Sequence, residues 1–418
     1  MIKFFGRYSD AFKPKIKIDL WNECEELYKE KNYIASYSKF FEYLRDEEEN
    51  NVFATVDNGV IKFQVLQGSK EIRGFSDGKK ISAIAIVADY DKLGVAVMRR
   101  LMELNYTLYY SRFAVKDNRI VLKFDSSVLD CSPTKLYYAL KEVCLKADKQ
   151  DDTLLDDFTI LKPADMKIEQ YGDAENNIRM NYYRRWIKEA LDRVKLVNKE
   201  QFSGGITYLY LDLIYRIDYL LQPHGSIMND IEKISWNYFN QENMNLLQHI
   251  ESMEEQLNKM LARSDESVKK NFYGIKSTFG LAPPSVSESA YDVINKNTGN
   301  VKWYIDNKHE DFALAILEYI AGYCHFSYGL NKSLRRLFGM VIEMLNQDYL
   351  DEIGYAKKYV INGALNSELI VSDINAYIAL DKEEYPLLSF DVSQLKFGSK
   401  IEFIKSFYDG IIKLSYKN

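Results

Sequence analysis

The chain has four histidines and four cysteines, the side chains most often used for metal binding and nucleophilic catalysis. The cysteines form no C-x-x-C pair and the histidines form no H-x-x-x-H pair, so the spacings of common zinc sites are missing. Cys324 and His325 are adjacent, but neighbours on a helix point about 100° apart and do not form a nucleophile–base dyad. We therefore expect no metal, no cofactor and no catalytic residue of these kinds.

Paired carboxylates are the next candidates for chemistry, because two neighbouring acids can divide the general acid and general base roles between them. The pairs are Asp151-Asp152, Asp156-Asp157 and Asp89-x-Asp91. Each pair lies in a polar stretch that offers no apolar pocket to raise a pKa. We expect a solvated acidic linker at 148–157, and a helix cap at the third pair. These observations argue against an enzyme without deciding the question.

Arginine beside aromatic residues is a third candidate, because guanidinium groups and aromatic rings can stack on nucleic-acid bases or hold peptides. Arg184, Arg185 and Trp186 follow two tyrosines in one helical stretch and are candidate interaction residues. The same pattern fits aromatic side chains in a core with arginines on the outer face, and we prefer that interpretation. A nucleic-acid-linked regulator that uses this stretch stays open as an alternative.

The composition limits the class of protein. The chain has 418 residues and a formal net charge of −6, and this acidic balance disfavours a general nucleic-acid coat protein. Apolar residues make up 47% of the chain, which excludes disorder as the overall state. No run of about 18 apolar residues predicts a membrane span, and the N-terminus has no apolar signal-peptide core. We expect no membrane partner and a cytoplasmic location.

The N-terminal part of the chain predicts a small antiparallel sheet with helices. Asn58-Gly59, between two runs of β-forming residues, is a strong hairpin signal. Ser132-Pro133 is typical of a helix start, with serine as the N-cap and proline in the first turn. The predicted order is two helices, three strands, a helix, two strands and a helix, at 17–45, 52–56, 60–66, 80–87, 92–105, 107–115, 119–124 and from 132 onward.

That order of elements over residues 33–147, with the helix-to-strand step from Leu93 to Val115, resembles the type III secretion chaperone-like fold. Within that fold it is similar to the bacterial YbjN-type family. The resemblance implies a binding module that is often dimeric and has no enzymatic activity, and it transfers no functional residue. A pattern at 17–45 is also similar to a single tetratricopeptide-type helix pair, through Leu20, Cys24, Leu27, Tyr33, Ser36, Phe40 and Tyr43.

The remainder of the chain predicts mostly helices. Their apolar stripes cover 175–198, 205–221, 243–262, 309–328, 331–350 and 399–414. Pro283-Pro284 cannot continue a helix, and 277–290 is the clearest linker. We therefore expect three domains: the helical hairpin with the α/β module at 1–162, a helical domain at 163–280, and a mainly helical domain with a few short strands at 285–418.

The expected fold class is α+β. The expected function is non-catalytic protein binding, of a chaperone or adaptor kind, to a protein partner or to a second copy of the chain as a homodimer. Helix 93–104 is the candidate surface, because Val95 and Met98 flank its main apolar stripe and widen it. The main alternative is an enzyme whose active site is built from residues far apart in the sequence, since spacing does not reveal such a site.

Overall fold

The computed structural model describes residues 5–241 and 243–417, which divide into two compact units. The α/β unit takes residues 13–170 and 273–281, and the helical unit takes the described residues of 1–12, 171–272 and 282–418. The α+β class, with an N-terminal antiparallel sheet followed by a mostly helical region, is confirmed. Most of the two predicted helical domains lies in the helical unit, whereas residues 163–170 and 273–280 belong to the α/β unit, and the three-domain division stays a prediction.

The α/β unit is built from four helices, seven strands of one sheet and a short strand pair. Its helices are α1 (Lys15–Lys29), α2 (Tyr33–Leu44), α3 (Val95–Tyr106) and α4 (Pro133–Asp157). The sheet strands are β1 (Val52–Asp57), β2 (Val60–Gln67), β3 (Lys70–Ser76), β4 (Lys80–Tyr90), β5 (Arg112–Lys116), β6 (Arg119–Ser127) and β7 (Leu161–Pro163). The strand pair is β8 (Glu169–Gln170) and β9 (Tyr273–Gly274).

The sheet is antiparallel in the order β1-β2-β3-β4-β6-β5, and β7 pairs with the end of β4 beyond an irregularity at Ile86/Ala88. Burial alternates along β2, where Ile61, Phe63 and Val65 are buried and the residues between them are exposed. This period of two places one face of the sheet against the helices and leaves the other face less covered.

The structure adds two strands, β3 and β7, to the predicted sheet and lengthens a helix. β3 lies between the strands predicted at 60–66 and 80–87, where no strand is predicted from the sequence. A Cβ on Gly74 would lie 2.1 Å from the ring of Phe63, so the glycine lets this ring pack onto the strand. The expected acidic linker at 148–157 is wrong, because α4 continues to Asp157 and turns part of the acidic run inward.

The helical unit consists of stacked helices around one core. Its helices are α5 (Asp173–Val194), α6 (Ser203–Arg216), α7 (Gly225–Asn240), α8 (Leu246–Leu261), α9 (Asp265–Lys269), α10 (Ser287–Thr298), α11 (Val301–Asp306), α12 (Glu310–Ser327), α13 (Lys332–Leu345), α14 (Gln347–Glu352), α15 (Ser367–Ala379) and α16 (Lys400–Ile411). A π-helical turn, Ile217–Leu221, extends α6, and a small hairpin joins β10 (Val360–Ile361) to β11 (Ala364–Leu365). Across the residues described, we find no helix with the length and apolar character needed to cross a bilayer.

Candidate functional site

Helix α3 carries an apolar face that the α/β unit leaves exposed. Val95, Met98, Met102 and Tyr106 are 77%, 42%, 71% and 93% exposed. At about 100° per residue, these four side chains fall within an arc of about 80°. We call this set the α3 stripe. Single exposed apolar residues are ordinary, whereas a contiguous row of them is typical of an interaction surface.

Contacts at the inner face and the C-terminal end fix the position of α3. Val97 and Leu101 are buried in the core of the α/β unit. The Asn105 amide donates to the carbonyl of Phe113 at 3.1 Å and accepts its N–H at 2.6 Å. Glu142 of α4 accepts the N–H groups of Tyr109, Tyr110 and Ser111, in the loop between α3 and β5, at 2.8–2.9 Å. Burial alone would raise the pKa of Glu142, but these hydrogen bonds lower it, so its charge holds the loop.

The structure brings the two predicted residues of α3 together and adds two more. Val95 and Met98, expected at the edge of the main stripe, lie on the exposed face. Met102 and Tyr106, which are not among the residues predicted from the sequence, extend that face. Their spacing from Met98 is four and eight residues, so a helical projection of the outer face would have found them.

The predicted residues of α5 are engaged within the helical unit. The guanidinium of Arg184 donates to Asp265 at 3.0 Å. Arg185 forms an ion pair with Asp348. Trp186 is buried in the core, so its ring is not presented as a stacking platform. This arrangement matches the interpretation of core aromatic side chains with arginines on the outer face.

A buried cluster of charged groups lies where α4 meets the β2–β3 turn. Asp148, Asp151 and Asp152 lie within about one turn of α4, and the ammonium of Lys70 is 2.8 Å from Asp151. The Lys70 ammonium also donates to two main-chain carbonyls at 2.9 and 3.3 Å. Ser69 donates its N–H to Asp148 and its hydroxyl to Asp151, both at 2.7 Å. The side chains of Lys70 and Asp151 are almost fully buried.

Burial changes the acidity of this cluster. Burial, together with the charge of the neighbouring Asp151, raises the pKa of Asp148 to about 7. Burial, again with the charge of Asp151, raises the pKa of Asp152 to about 8. The pKa of Asp151 is also raised by burial, against the attraction of Lys70. We expected these carboxylates to be solvated, and that expectation is wrong because α4 places them against the sheet rather than in a linker.

The chemistry open to this cluster is proton exchange near neutral pH, because two carboxylates there titrate in that range. A reaction also needs a cavity for a substrate. The concavity between α7 and α8, lined by Ile234, Tyr238, His249 and Met253, has a volume of about 10 Å³, which is roughly the space of one water molecule. That volume is below the roughly 300–1,000 Å³ of ordinary ligand sites.

Within residues 5–241 and 243–417, no three His, Cys, Asp or Glu side chains come together as a set that could hold a metal ion. The four cysteines are buried free thiols. The expected absence of a metal or cofactor stays a prediction.

Comparison of the chain with models of known protein families and with curated proteins gave no match. The resemblance to the type III secretion chaperone-like fold therefore stays a prediction.

Proposed function

We propose that the chain is a non-catalytic protein-binding protein and that the α3 stripe is its binding surface. The observation that carries this proposal is the row of four exposed apolar side chains on one face of α3. Two of the four are methionines, whose flexible and polarisable side chains suit adaptable protein-binding surfaces. The helix beneath them is fixed by the core and by Glu142, so binding would not have to order it first.

The occupant that this surface fits is a second copy of α3. An antiparallel pairing about a twofold axis through the middle of the stripe sets Met98 and Met102 of one copy against those of the other. Arg99 and Glu103 lie on the same exposed flank of α3. At about 1.5 Å of rise per residue, that axis brings Arg99 of one copy to within about 2 Å, along the helix, of Glu103 of the other. Opposite charges therefore meet twice across the pairing.

A single helix pair of this length buries less surface than the roughly 800 Å² per partner of a standard interface. We therefore propose a weak, concentration-dependent dimer. The buried free thiols of all four cysteines favour a reducing compartment, and the proposal places the protein in the cytoplasm.

Sedimentation velocity over a range of concentrations tests the proposal. The wild-type mass is expected to rise from 48.8 kDa toward twice that value. Met102→Asp is expected to remain a monomer with an unchanged melting temperature, because the new charge is solvated in the monomer and buried without a partner in the dimer. Leu129→Asp is the matched control, since Leu129 is 76% exposed in the same unit but lies outside α3.

A charge exchange tests the antiparallel arrangement. Arg99→Glu is expected to weaken the dimer, and Arg99→Glu with Glu103→Arg is expected to restore it, because the exchanged charges again meet as opposites. A wild type that stays monomeric at every concentration would contradict self-association. A double variant as weak as the single variant would contradict the antiparallel pairing while leaving the surface itself in place.

A further inference from the structure

The α/β unit holds a segment of chain that comes from far away in the sequence. Residues 273–281 belong to this unit, although more than 200 residues separate them from the strand that they contact. The N–H of Gly68, in the β2–β3 turn, donates to the carbonyl of Lys276 at 2.9 Å. This single antiparallel bridge starts a short run of contacts over residues 276–279, which we call the docked segment.

Two buried side-chain amides contact the main chain of the docked segment. The Gln67 side-chain oxygen accepts the N–H groups of Thr278 and Phe279 at 3.1 and 2.9 Å, and its amide nitrogen donates to the carbonyl of Phe279 at 3.3 Å. The Asn51 amide donates to the carbonyl of Ser277 at 3.1 Å. Main-chain contacts of this kind fix the path of a peptide without depending on its side chains.

Two side chains of the docked segment add selectivity. Phe279 is 1% exposed and packs edge-to-face on Tyr137, with ring centroids 5.4 Å apart. The hydroxyl of Thr278 donates to the carbonyl of Leu66 at 2.8 Å. Leu281, two residues later, is 42% exposed, so the close contacts end near the phenylalanine. A hydroxyl followed by a phenyl ring is therefore the chemistry that this site accommodates.

We propose that Asn51, Gln67 and the pocket beside Tyr137 form a peptide-binding site for an extended segment of a partner protein in which Ser or Thr precedes Phe. The chain's own docked segment fills this site as an internal ligand. If the segment leaves, two buried amides lose their partners, which is costly. A partner peptide of the same chemistry restores those hydrogen bonds and refills the pocket. The site uses β2, the β2–β3 turn and α4, so it does not depend on the α3 stripe.

Fluorescence anisotropy on the full chain tests the site, with a labelled synthetic peptide of residues 273–281 as the probe. In the wild type the attached segment competes at an effective concentration in the millimolar range. Phe279→Ala removes the internal anchor, so this variant is expected to bind the peptide at least about 100-fold more tightly than the wild type. Adding Gln67→Ala to it is expected to weaken peptide binding at least about tenfold.

Controls separate recognition from general loosening. Leu281→Ala alters the same segment outside the contacts and is expected to bind as the wild type does. A peptide with alanine in place of its phenylalanine is expected to lose binding to every variant. If Phe279→Ala does not fold, as judged by circular dichroism, Thr278→Ala replaces it. This variant is expected to bind the peptide more tightly than the wild type, but less tightly than a protein whose site is fully open. A folded variant that does not bind, or a wild type that binds as tightly as the variant, overturns the proposal.

Discussion

Substituting Asp148 by asparagine should change how the stability of the α/β unit depends on pH. Asparagine keeps the size of the side chain and the oxygen that accepts the Ser69 N–H, but it does not ionise. Asp148 faces Asp151, Asp152 and the ammonium of Lys70, and its pKa is raised from 3.8 to about 7 by burial and then by Asp151. The variant removes this ionisation while leaving the hydrogen bond in place.

The direction follows from proton linkage. Below about pH 4 the Asp148 carboxyl is protonated in both states and has no effect on the pH dependence. Between about pH 4 and 7 the unfolded chain releases the proton while the folded chain keeps it, so stability falls as the pH rises. Three pKa units at about 1.4 kcal/mol each set an upper limit of about 4 kcal/mol for this loss. Water entering the cluster would reduce it, and we expect about 2 kcal/mol.

Urea unfolding at a series of pH values, followed by hydrogen-exchange mass spectrometry of peptides from α4, measures the α/β unit separately. Relative to the wild type, the free energy of unfolding of Asp148→Asn is expected to increase by about 2 kcal/mol when the pH is raised from 4.5 to 8. Asp157→Asn, at the exposed end of the same helix, supplies the baseline. If the wild type and Asp148→Asn show the same slope with pH, the cluster does not carry the raised pKa and the reasoning fails.

Three further substitutions test the packing by thermal and urea unfolding. Gly68→Ala should lower the free energy of unfolding by about 3 kcal/mol, because the new Cβ would lie 1.8 Å from the Asp148 carboxylate. Gly59→Ala has a similar positive φ but open space around it, and should lower the free energy of unfolding by about 1 kcal/mol. Equal losses would mean that the Asp148 carboxylate moves away freely. Lys70→Met should lower the free energy of unfolding by about 3–5 kcal/mol, because it leaves the Asp151 carboxylate without its ion-pair partner. Adding Asp151→Asn should recover part of that loss. A double variant that is no more stable than Lys70→Met would contradict a stabilising ion pair. Arg216→Met should cost a similar amount in the helical unit, where Arg216 pairs with two buried carboxylates. A neutral result would show that these ion pairs do not stabilise the unit.

Features set by a few neighbouring residues could be predicted from the sequence. The turn at Asn58-Gly59 has both residues at positive φ and joins β1 to β2 as expected. Ser132 caps α4 through the N–H of Lys135 at 3.2 Å. Pro223 follows the end of the π-helical turn after α6. In each case the residue's own backbone preference decides the outcome, so distant packing does not override it.

Features set by tertiary packing could not be predicted in the same way. β3 contains Gly74, which lowers strand propensity, and only the ring of Phe63 on the neighbouring strand explains why a glycine is used there. The local sequence after Cys144, taken alone, predicts solvated acidic residues. Asp151 is buried because Lys70, at the start of β3 and 81 residues earlier, supplies the opposite charge. Sequence spacing carries no signal for a pair of this kind.

The same distinction separates the two proposed binding sites. The α3 stripe lies on one helix, so the helical periodicity of the sequence is enough to predict Val95 and Met98 as surface residues. The site around Gln67 exists only because residues 273–281 return to the α/β unit, and a linker-like composition concealed that return. A fragment ending at residue 162 would lack Phe279 and leave the Asn51 and Gln67 amides without these partners. The predicted N-terminal domain therefore depends, for part of its core, on residues from the linker between the predicted helical domains.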